Sequence, residues 1–251
     1  MKFLKQMLKS AVCIYVLTCL AITLFQRKLL FFPTHEVTAG LSAEYNVGEW
    51  INDGQVIGAV RKGNDTKIVW LFLHGNGGQA IDRVYALSVF NKNESVYIME
   101  YPGYGSRMGS PSKASFNTAA SEAFSSLRKS YPNSEINVIG ESLGSGPGCF
   151  LASQPFPPNR IVLVLPFDRL VLVAQDKFKF LPINLIMFDR WDNVAALKNF
   201  KGRVDIFGAK DDEIIPVKHA RNLASLIPGS TYHEITGGHN DWSYSGGVDL
   251  R

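Results

Sequence analysis

The protein has 251 residues, of which 46% are hydrophobic and 19% are charged, so it can bury one sizeable core and is too apolar to be disordered. Its net charge is only +4, and no stripe of lysine and arginine indicates a nucleic-acid-binding face. Of the three cysteines only Cys149 lies outside the N-terminal apolar stretch, and no Cys/His cluster has zinc-ligand spacing, so we expect neither a disulfide within the body nor a metal.

The chain begins with an apolar segment between positive charges. An uncharged run covers residues 11–25, after three lysines in the first ten residues and before Arg27 and Lys28. The run is slightly short for a membrane span, which takes about 20 residues, but flanking lysines can extend to the head groups. We predict an uncleaved, single-pass anchor over residues 1–28, with a cleaved signal peptide and a buried core helix as alternatives. The charge bias favours an N-terminus inside and a body in the periplasm or a lumen.

After a linker at residues 33–41, strands and helices are predicted to alternate. The run at 68–73 is continuously apolar, as in a strand that is buried on both faces. Such alternation predicts an α/β fold with a mostly parallel central sheet and helices on both faces, and an Asp-Gly hairpin as its antiparallel edge. The predicted strands cover residues 45–51, 56–61, 68–73, 95–101, 136–139, 161–165, 204–207 and 231–235, and the predicted helices cover 79–91, 115–131, 145–152 and 217–227.

A Gly-x-Ser-x-Gly turn joins the strand that ends at Ile139 to a helix that begins at Ser145. Such a turn exposes the serine hydroxyl, here Ser142, over the edge of the sheet, and the two glycines let strand and helix approach closely. The main-chain N–H of Leu143 then lies at a helix N-terminus, where it would stabilise an oxyanion. The alternative is a glycine-rich loop in which the serine is incidental.

A serine nucleophile needs a base to take its proton. Among the five histidines, His239 follows the last strand, and the two glycines before it allow a loop to carry the imidazole over the sheet edge. We therefore predict that His239 is the base. We expect His74 to shape its own loop, and His219 and His233 to be solvated.

The base needs a carboxylate that follows another strand. Asp211 and Asp212 both follow the strand that ends near Gly208, and either could reach the base, while Asp168 is a third candidate of lower rank. A second oxyanion donor is expected in the loop after Leu73, where glycines on both sides leave the main chain near Asn76 open to a ligand. The alternative for that loop is a tight turn without a ligand.

Five motifs in this order resemble the α/β-hydrolase family. They are His-Gly-Asn-Gly-Gly at 74–78, Tyr-Pro-Gly-Tyr-Gly at 101–105, Gly-Glu-Ser-Leu-Gly at 140–144, Asp-Glu-Ile-Ile-Pro at 212–216 and Gly-His-Asn-Asp at 238–241. More narrowly, the chain is similar to the membrane-anchored Bem46-like and ABHD13/ABHD17-type serine hydrolases. The resemblance covers nearly everything from Leu29 to Trp242, and it includes the aromatic-proline segment that follows the anchor.

The resemblance implies an α/β-hydrolase catalytic domain over residues 29–251. The family pattern places the acid four residues before the proline, which selects Asp212 over Asp211, and it gives the oxyanion donors as the main-chain N–H groups of Asn76 and Leu143. It implies hydrolysis of an ester, thioester or amide through an acyl-serine, with no cofactor. The substrate would be a small-molecule or lipid ester or an acylated protein. The alternatives are a peptidase or amidase of the same fold and a non-catalytic binding scaffold.

The segment from Phe167 to Lys201 is short, so the lid is expected to be small or absent. It is rich in apolar residues between positions 178 and 188. These residues would line an acyl pocket near the bilayer, or else pack as an ordinary helix core.

Overall fold

The computed structural model describes residues 1–36, 45–244 and 247–250. The end of the predicted linker, at 37–41, lies outside the described residues.

The N-terminal apolar run is part of one long helix, α1 (Lys2–Leu30), which has no fully buried residue. The alternative of a buried core helix is therefore wrong. Within the described residues, α1 is the one helix whose length and composition would allow it to cross a membrane. Directly after α1, Phe31 is buried in the main core, and the short strand β1 (Phe32–Pro33) pairs in parallel with β5 (Gly77–Gly78).

An eight-stranded sheet forms the centre of the body. Its strands are β2 (Gly48–Asn52), β3 (Gln55–Arg61), β4 (Asp65–Leu73), β6 (Glu94–Met99), β7 (Glu135–Glu141), β8 (Arg160–Val164), β9 (Arg203–Ala209) and β10 (Thr231–Ile235). Their spatial order is β2-β3-β6-β4-β7-β8-β9-β10. All neighbours are parallel except the pairs that β3 makes with β2 and β6, so the predicted parallel sheet with an antiparallel edge is confirmed.

Helices cover both faces of the sheet, and two apolar clusters lie beneath them. The helices are α2 (Lys113–Ser130), α3 (Ser145–Ala152), α4 (Leu170–Lys177), α5 (Ile183–Ile186), α6 (Asn193–Leu197) and α7 (Lys218–Leu226). A 3₁₀ helix, Ala80–Val89, occupies the position of the helix predicted at 79–91. Helix α2 shows why such segments form: the Ser112 hydroxyl caps its N-terminus, and its apolar residues recur every three or four positions on the buried face.

The segment between β8 and β9 contains only the three short helices α4, α5 and α6. It is a small lid region, as the sequence predicts. The turns that follow β4, β7, β8, β9 and β10 all lie at the carboxyl edge of the sheet, because these strands run in parallel. Chemically active residues distant in sequence can therefore meet at that edge.

Candidate active site

Ser142 lies on the sharp turn between β7 and α3. Its backbone is left-handed (φ 51°), which is uncommon for a residue with a side chain and indicates local strain. The two flanking glycines make this turn possible. A Cβ at Gly140 would lie 2.7 Å from the Gly144 carbonyl oxygen, and a Cβ at Gly144 would lie 2.6 Å from that of His74.

The hydroxyl of Ser142 and the imidazole of His239 are in hydrogen-bond contact, with 2.9 Å between Oγ and Nε2. The other ring nitrogen, Nδ1, lies 2.7 Å from Oδ2 of Asp212. The second carboxylate oxygen of Asp212 accepts the main-chain N–H groups of Ile214 (2.8 Å) and Ile215 (2.7 Å). A serine, a histidine and a buried carboxylate from three different loops thus form one hydrogen-bonded chain.

The other two candidate acids do not reach His239. Asp211 is exposed, and its main-chain N–H donates to the Gly237 carbonyl, which joins the acid loop to the histidine loop. Asp168 contacts His219 instead, with 2.8 Å between Oδ1 and Nδ1. Of the three acids that the sequence left open, the structure brings only Asp212 to the imidazole.

His219 is buried, so the prediction that it is solvated was wrong. Its second ring nitrogen lies 2.9 Å from Oδ2 of Asp176, and the two carboxylates hold the ring between α4 and α7. Burial would raise the pKa of Asp168, but hydrogen bonds from His219, the Arg169 N–H and Asn222 hold it below its ordinary value. The charged neighbours of His219 in sequence concealed that its face of α7 packs inward.

The remaining histidines have structural contacts. His74 is fully buried, with Nδ1 2.7 Å from the Gly75 carbonyl and Nε2 3.3 Å from Glu100. His233 is half-exposed and stacks on Phe207 with 4.5 Å between ring centroids. The prediction that His74 shapes its loop agrees with these contacts, whereas His233 is less solvated than the sequence suggested.

Leu143 and Asn76, the predicted oxyanion donors, lie on adjacent loops. Leu143 is buried in the short 3₁₀ turn Ser142–Gly144 that leads into α3. The side chain of Asn76 fixes the other loop: its Nδ2 donates to the Leu30 carbonyl (2.6 Å), and its Oδ1 accepts from the Tyr104 hydroxyl (2.9 Å). The loop with Asn76 is thereby tied to the end of α1.

Glu141, the residue before Ser142, has a role that was not predicted from the sequence. Its buried carboxylate accepts the Gly75 N–H (2.9 Å) and the indole N–H of Trp242 (3.0 Å), and so joins the loops on either side of the serine. Burial would raise its pKa, but the Arg83 guanidinium and these hydrogen bonds hold it below its ordinary value. A charged residue in the variable position of the serine motif was the available signal.

The described residues form no cluster of metal-ligating side chains. In residues 1–36, 45–244 and 247–250, no group of three or more His, Cys, Asp and Glu side chains could bind a metal ion. A cavity of about 570 Å³ is lined by residues that include Gln79 and Glu100. Ser142 is not among its lining residues.

The comparison with solved structures defines the class of fold. An esterase of Pyrococcus furiosus superposes with a TM-score of 0.64 at 15% identity, covering 84% of this chain and 91% of that one. Est1E of Butyrivibrio proteoclasticus, solved with ferulic acid, superposes with a TM-score of 0.61 at 14% identity over 74% of this chain and 88% of that one. With its sheet order and serine turn, the chain has the α/β-hydrolase fold.

Curated relatives support the same conclusion, and the resemblance drawn from the motifs is confirmed. No model of a known protein family matches the sequence. The chain is 26% identical to the uncharacterised protein Rv2307c of Mycobacterium tuberculosis over 86% of this chain and 81% of that protein. It is 26% identical to the α/β-hydrolase domain-containing protein WAV2 of Arabidopsis thaliana, over 70% of this chain and 65% of that protein. It is 27% identical to α/β-hydrolase domain-containing protein 17B of Xenopus tropicalis, over 72% of this chain and 64% of that protein.

Proposed function

We propose that the protein is a serine hydrolase that cleaves a carboxylic ester or thioester through an acyl-serine intermediate. The observation that carries the proposal is the hydrogen-bonded chain from Ser142 through His239 to Asp212. The α/β-hydrolase fold and the similarity to the esterase of Pyrococcus furiosus support it.

In the proposed mechanism His239 Nε2 takes the proton of Ser142 as Oγ attacks the substrate carbonyl carbon. Asp212 accepts the Nδ1–H hydrogen bond, which holds the required tautomer and stabilises the imidazolium. The main-chain N–H groups of Leu143 and Asn76 donate to the oxyanion of the tetrahedral intermediate. His239 then gives the proton to the leaving alcohol or thiol, and afterwards activates the water that releases the acid.

We assign residues 1–28 to a membrane anchor and residues 29–251 to the catalytic domain, which we place in the periplasm or a lumen. The apolar helix α1 supports the anchor. A lipid ester or an acylated protein would suit an enzyme held at a membrane. One relative, lysophosphatidylserine lipase ABHD12 of Macaca fascicularis, is 24% identical over 66% of this chain and 47% of that protein.

The proposal is tested with the detergent-solubilised full chain and p-nitrophenyl esters from acetate to palmitate. We expect turnover by the wild type, labelling by a fluorophosphonate probe, and loss of both in Ser142→Ala and His239→Ala. If the folded wild type neither turns over any ester nor takes up the probe, the proposed function is wrong. Activity that rises with acyl length would favour a lipid substrate; a preference for acetate over octanoate would exclude a long acyl pocket.

The choice of acid is tested by a pair of matched substitutions. Asp212→Asn should reduce kcat/KM by roughly 10³-fold or more, because the imidazole loses the acceptor that sets its tautomer. Asp211→Asn, one residue away and exposed, should change it by less than about threefold. Equal losses in the two variants would contradict the assignment of Asp212.

A further inference from the structure

Four large apolar side chains project from the lid region between residues 178 and 188, which we call the 178–188 segment. Phe178, Phe180, Leu185 and Phe188 are 54%, 90%, 81% and 62% exposed. These four side chains face outward, whereas Ile183 of the same segment is buried and Met187 packs against the main core, so the expected helix core describes only part of the segment. The expected acyl pocket stays a prediction. Exposed apolar side chains grouped this closely mark an interaction surface.

Helix α1 packs along this segment through one stripe of its surface. The half-buried residues of α1 recur at the helical spacing of three or four: Cys19, Ile22, Thr23, Gln26 and Leu30. The polar contacts of α1 run along the same stripe. The Tyr15 hydroxyl donates to the Phe180 carbonyl (2.7 Å), and Arg27 pairs with Asp189 (2.9 Å). Gln26 donates to the Ile186 carbonyl (3.0 Å) and accepts a hydrogen bond from the Phe188 N–H (2.7 Å).

The position of these contacts along α1 determines how α1 can enter a membrane. The contacts from Tyr15 to Arg27 extend over about 18 Å of the helix, at about 1.5 Å per residue. The uncharged part of α1 that precedes Tyr15 covers only residues 10–14, whereas the hydrocarbon core of a bilayer is about 30 Å thick. That part is too short to cross by itself. A bilayer that takes up the apolar run of α1 must therefore also take up the 178–188 segment beside it.

The polar groups of α1 are satisfied in the way that a lipid environment requires. The hydroxyls of Thr18 (2.9 Å) and Thr23 (2.7 Å) each donate to the carbonyl four residues earlier in the helix. With the contacts of Tyr15 and Gln26, every hydroxyl and amide side chain between residues 11 and 26 has a protein partner. Three of these partners are main-chain groups of the 178–188 segment, which would otherwise need water.

Exposed positive charges lie near both ends of the 178–188 segment. Lys179 lies between the two most N-terminal phenylalanines, and Arg190 follows the segment; both are exposed. Long cationic side chains can leave their stems in an apolar layer while their charges reach the phosphates of the head groups. This charge pattern favours a phospholipid surface over an apolar protein partner.

We propose that the 178–188 segment is a second membrane-binding element, which enters the same lipid leaflet as the C-terminal half of α1. The occupant of the exposed apolar surface is the bilayer itself. The loop of Asn76, bound to the end of α1, and the Glu213 carbonyl, bound by Lys177 (3.2 Å), then lie at the membrane surface. The candidate active site would open where lipid or acylated substrates are held. The proposal itself does not depend on the proposed chemistry.

The test measures lipid contact at single positions of the full chain. The variants Phe180→Trp and Leu185→Trp are reconstituted into vesicles of phosphatidylcholine and phosphatidylglycerol that contain brominated phosphatidylcholine. The control is Phe156→Trp, because Phe156 is also exposed (71%) but precedes β8, at the opposite edge of the sheet. The four native tryptophans are buried, so the wild-type signal can be subtracted.

We expect brominated lipid to remove most of the added fluorescence in both segment variants and little of it in Phe156→Trp. Quenching of both segment variants no greater than that of the control would overturn the proposal. A blue-shifted emission that bromine does not quench would also overturn it, because a second protein copy would then cover the segment. Two separate positions guard against a local distortion by either substitution.

Discussion

Glu141 shows how one buried carboxylate can fix the surroundings of Ser142. Its two oxygens accept hydrogen bonds from Gly75, in the loop of Asn76, and from Trp242, three residues after His239. The guanidinium of Arg83 lies 3.9 Å away and supplies the opposite charge. Because these partners belong to separate segments of the chain, the carboxylate aligns groups that the backbone alone does not hold together.

We expect Glu141→Gln to lower the free energy of unfolding by roughly 3 kcal/mol at neutral pH, because it leaves Arg83 without its charge partner. In the folded protein the pKa of Glu141 lies below its value of about 4.3 in the unfolded chain. The ionised carboxylate therefore stabilises the fold at pH values above about 4.3. This stabilisation is lost as the pH falls through the pKa of the folded protein. The difference between wild type and variant should therefore shrink in acid.

Urea unfolding at pH 7 and in steps below pH 5 measures both effects. Glu122→Gln is the control, because Glu122 is 63% exposed and its pairing with Arg107 contributes little. A difference between wild type and Glu141→Gln that does not vary with pH would show that the ionised carboxylate is not the stabilising group.

At the scale of elements, the turn between β7 and α3 depends on how closely α3 approaches β4. Gly144 has no space for a side chain, because the carbonyls of Leu73 and His74 lie against it. Gly148, four residues later and inside α3, has space for a side chain. A Cβ there would meet the Val138 side chain at 3.6 Å, which is ordinary contact.

We therefore expect opposite results from the same substitution at Gly144 and at Gly148. Gly144→Ala should cost about 4 kcal/mol or prevent folding, because backbone atoms of β4 cannot yield to the new methyl group. Gly148→Ala should be neutral or should stabilise the protein by about 0.5–1 kcal/mol, since alanine is preferred in a helix interior. Thermal unfolding followed by circular dichroism distinguishes them, and equal midpoints would refute the close approach at Gly144.

At the scale of the whole molecule, α1 is joined to the body along its C-terminal half but contributes little to the core. The core begins at Phe31, whose ring lies 5.1 Å from that of Phe116. The hydrogen bond from Asn76 to the Leu30 carbonyl also involves a residue beyond position 28. The body should therefore keep its fold when residues 1–28 are removed.

We expect the protein that lacks residues 1–28 to unfold cooperatively and to bind anionic vesicles more weakly than the full chain. The remaining binding comes from the 178–188 segment, where each buried Phe or Leu contributes about 1.5–3 kcal/mol. Adding Phe180→Ser and Leu185→Ser to the truncated chain should abolish this remaining vesicle binding, whereas adding Phe156→Ser should leave the binding unchanged. Co-sedimentation with vesicles compares the full chain, the truncated chain and its two variants, and no binding by the truncated chain itself would contradict the expectation.

The sequence by itself determined the fold class, because the evidence for that class lies within short stretches of the chain. Strand and helix periods, glycines where a turn needs them, and motifs at strand ends can all be read without knowing which residues meet. Parallel strands then bring their carboxyl ends to one edge, so Ser142 and His239 could be chosen from their places after strands.

Only the tertiary structure decided which side chains face one another. Asp211 and Asp212 share one loop, and the direction of each carboxylate depends on how that loop packs beside Gly237. His219 is buried because its face of α7 packs inward, where Asp168 and Asp176 bind the ring, although Lys218 and Arg221 beside it in sequence are charged. The contact of α1 with the 178–188 segment joins residues about 160 positions apart. Such contacts are set by packing between distant elements, and a pattern that is read along the chain carries no information about them.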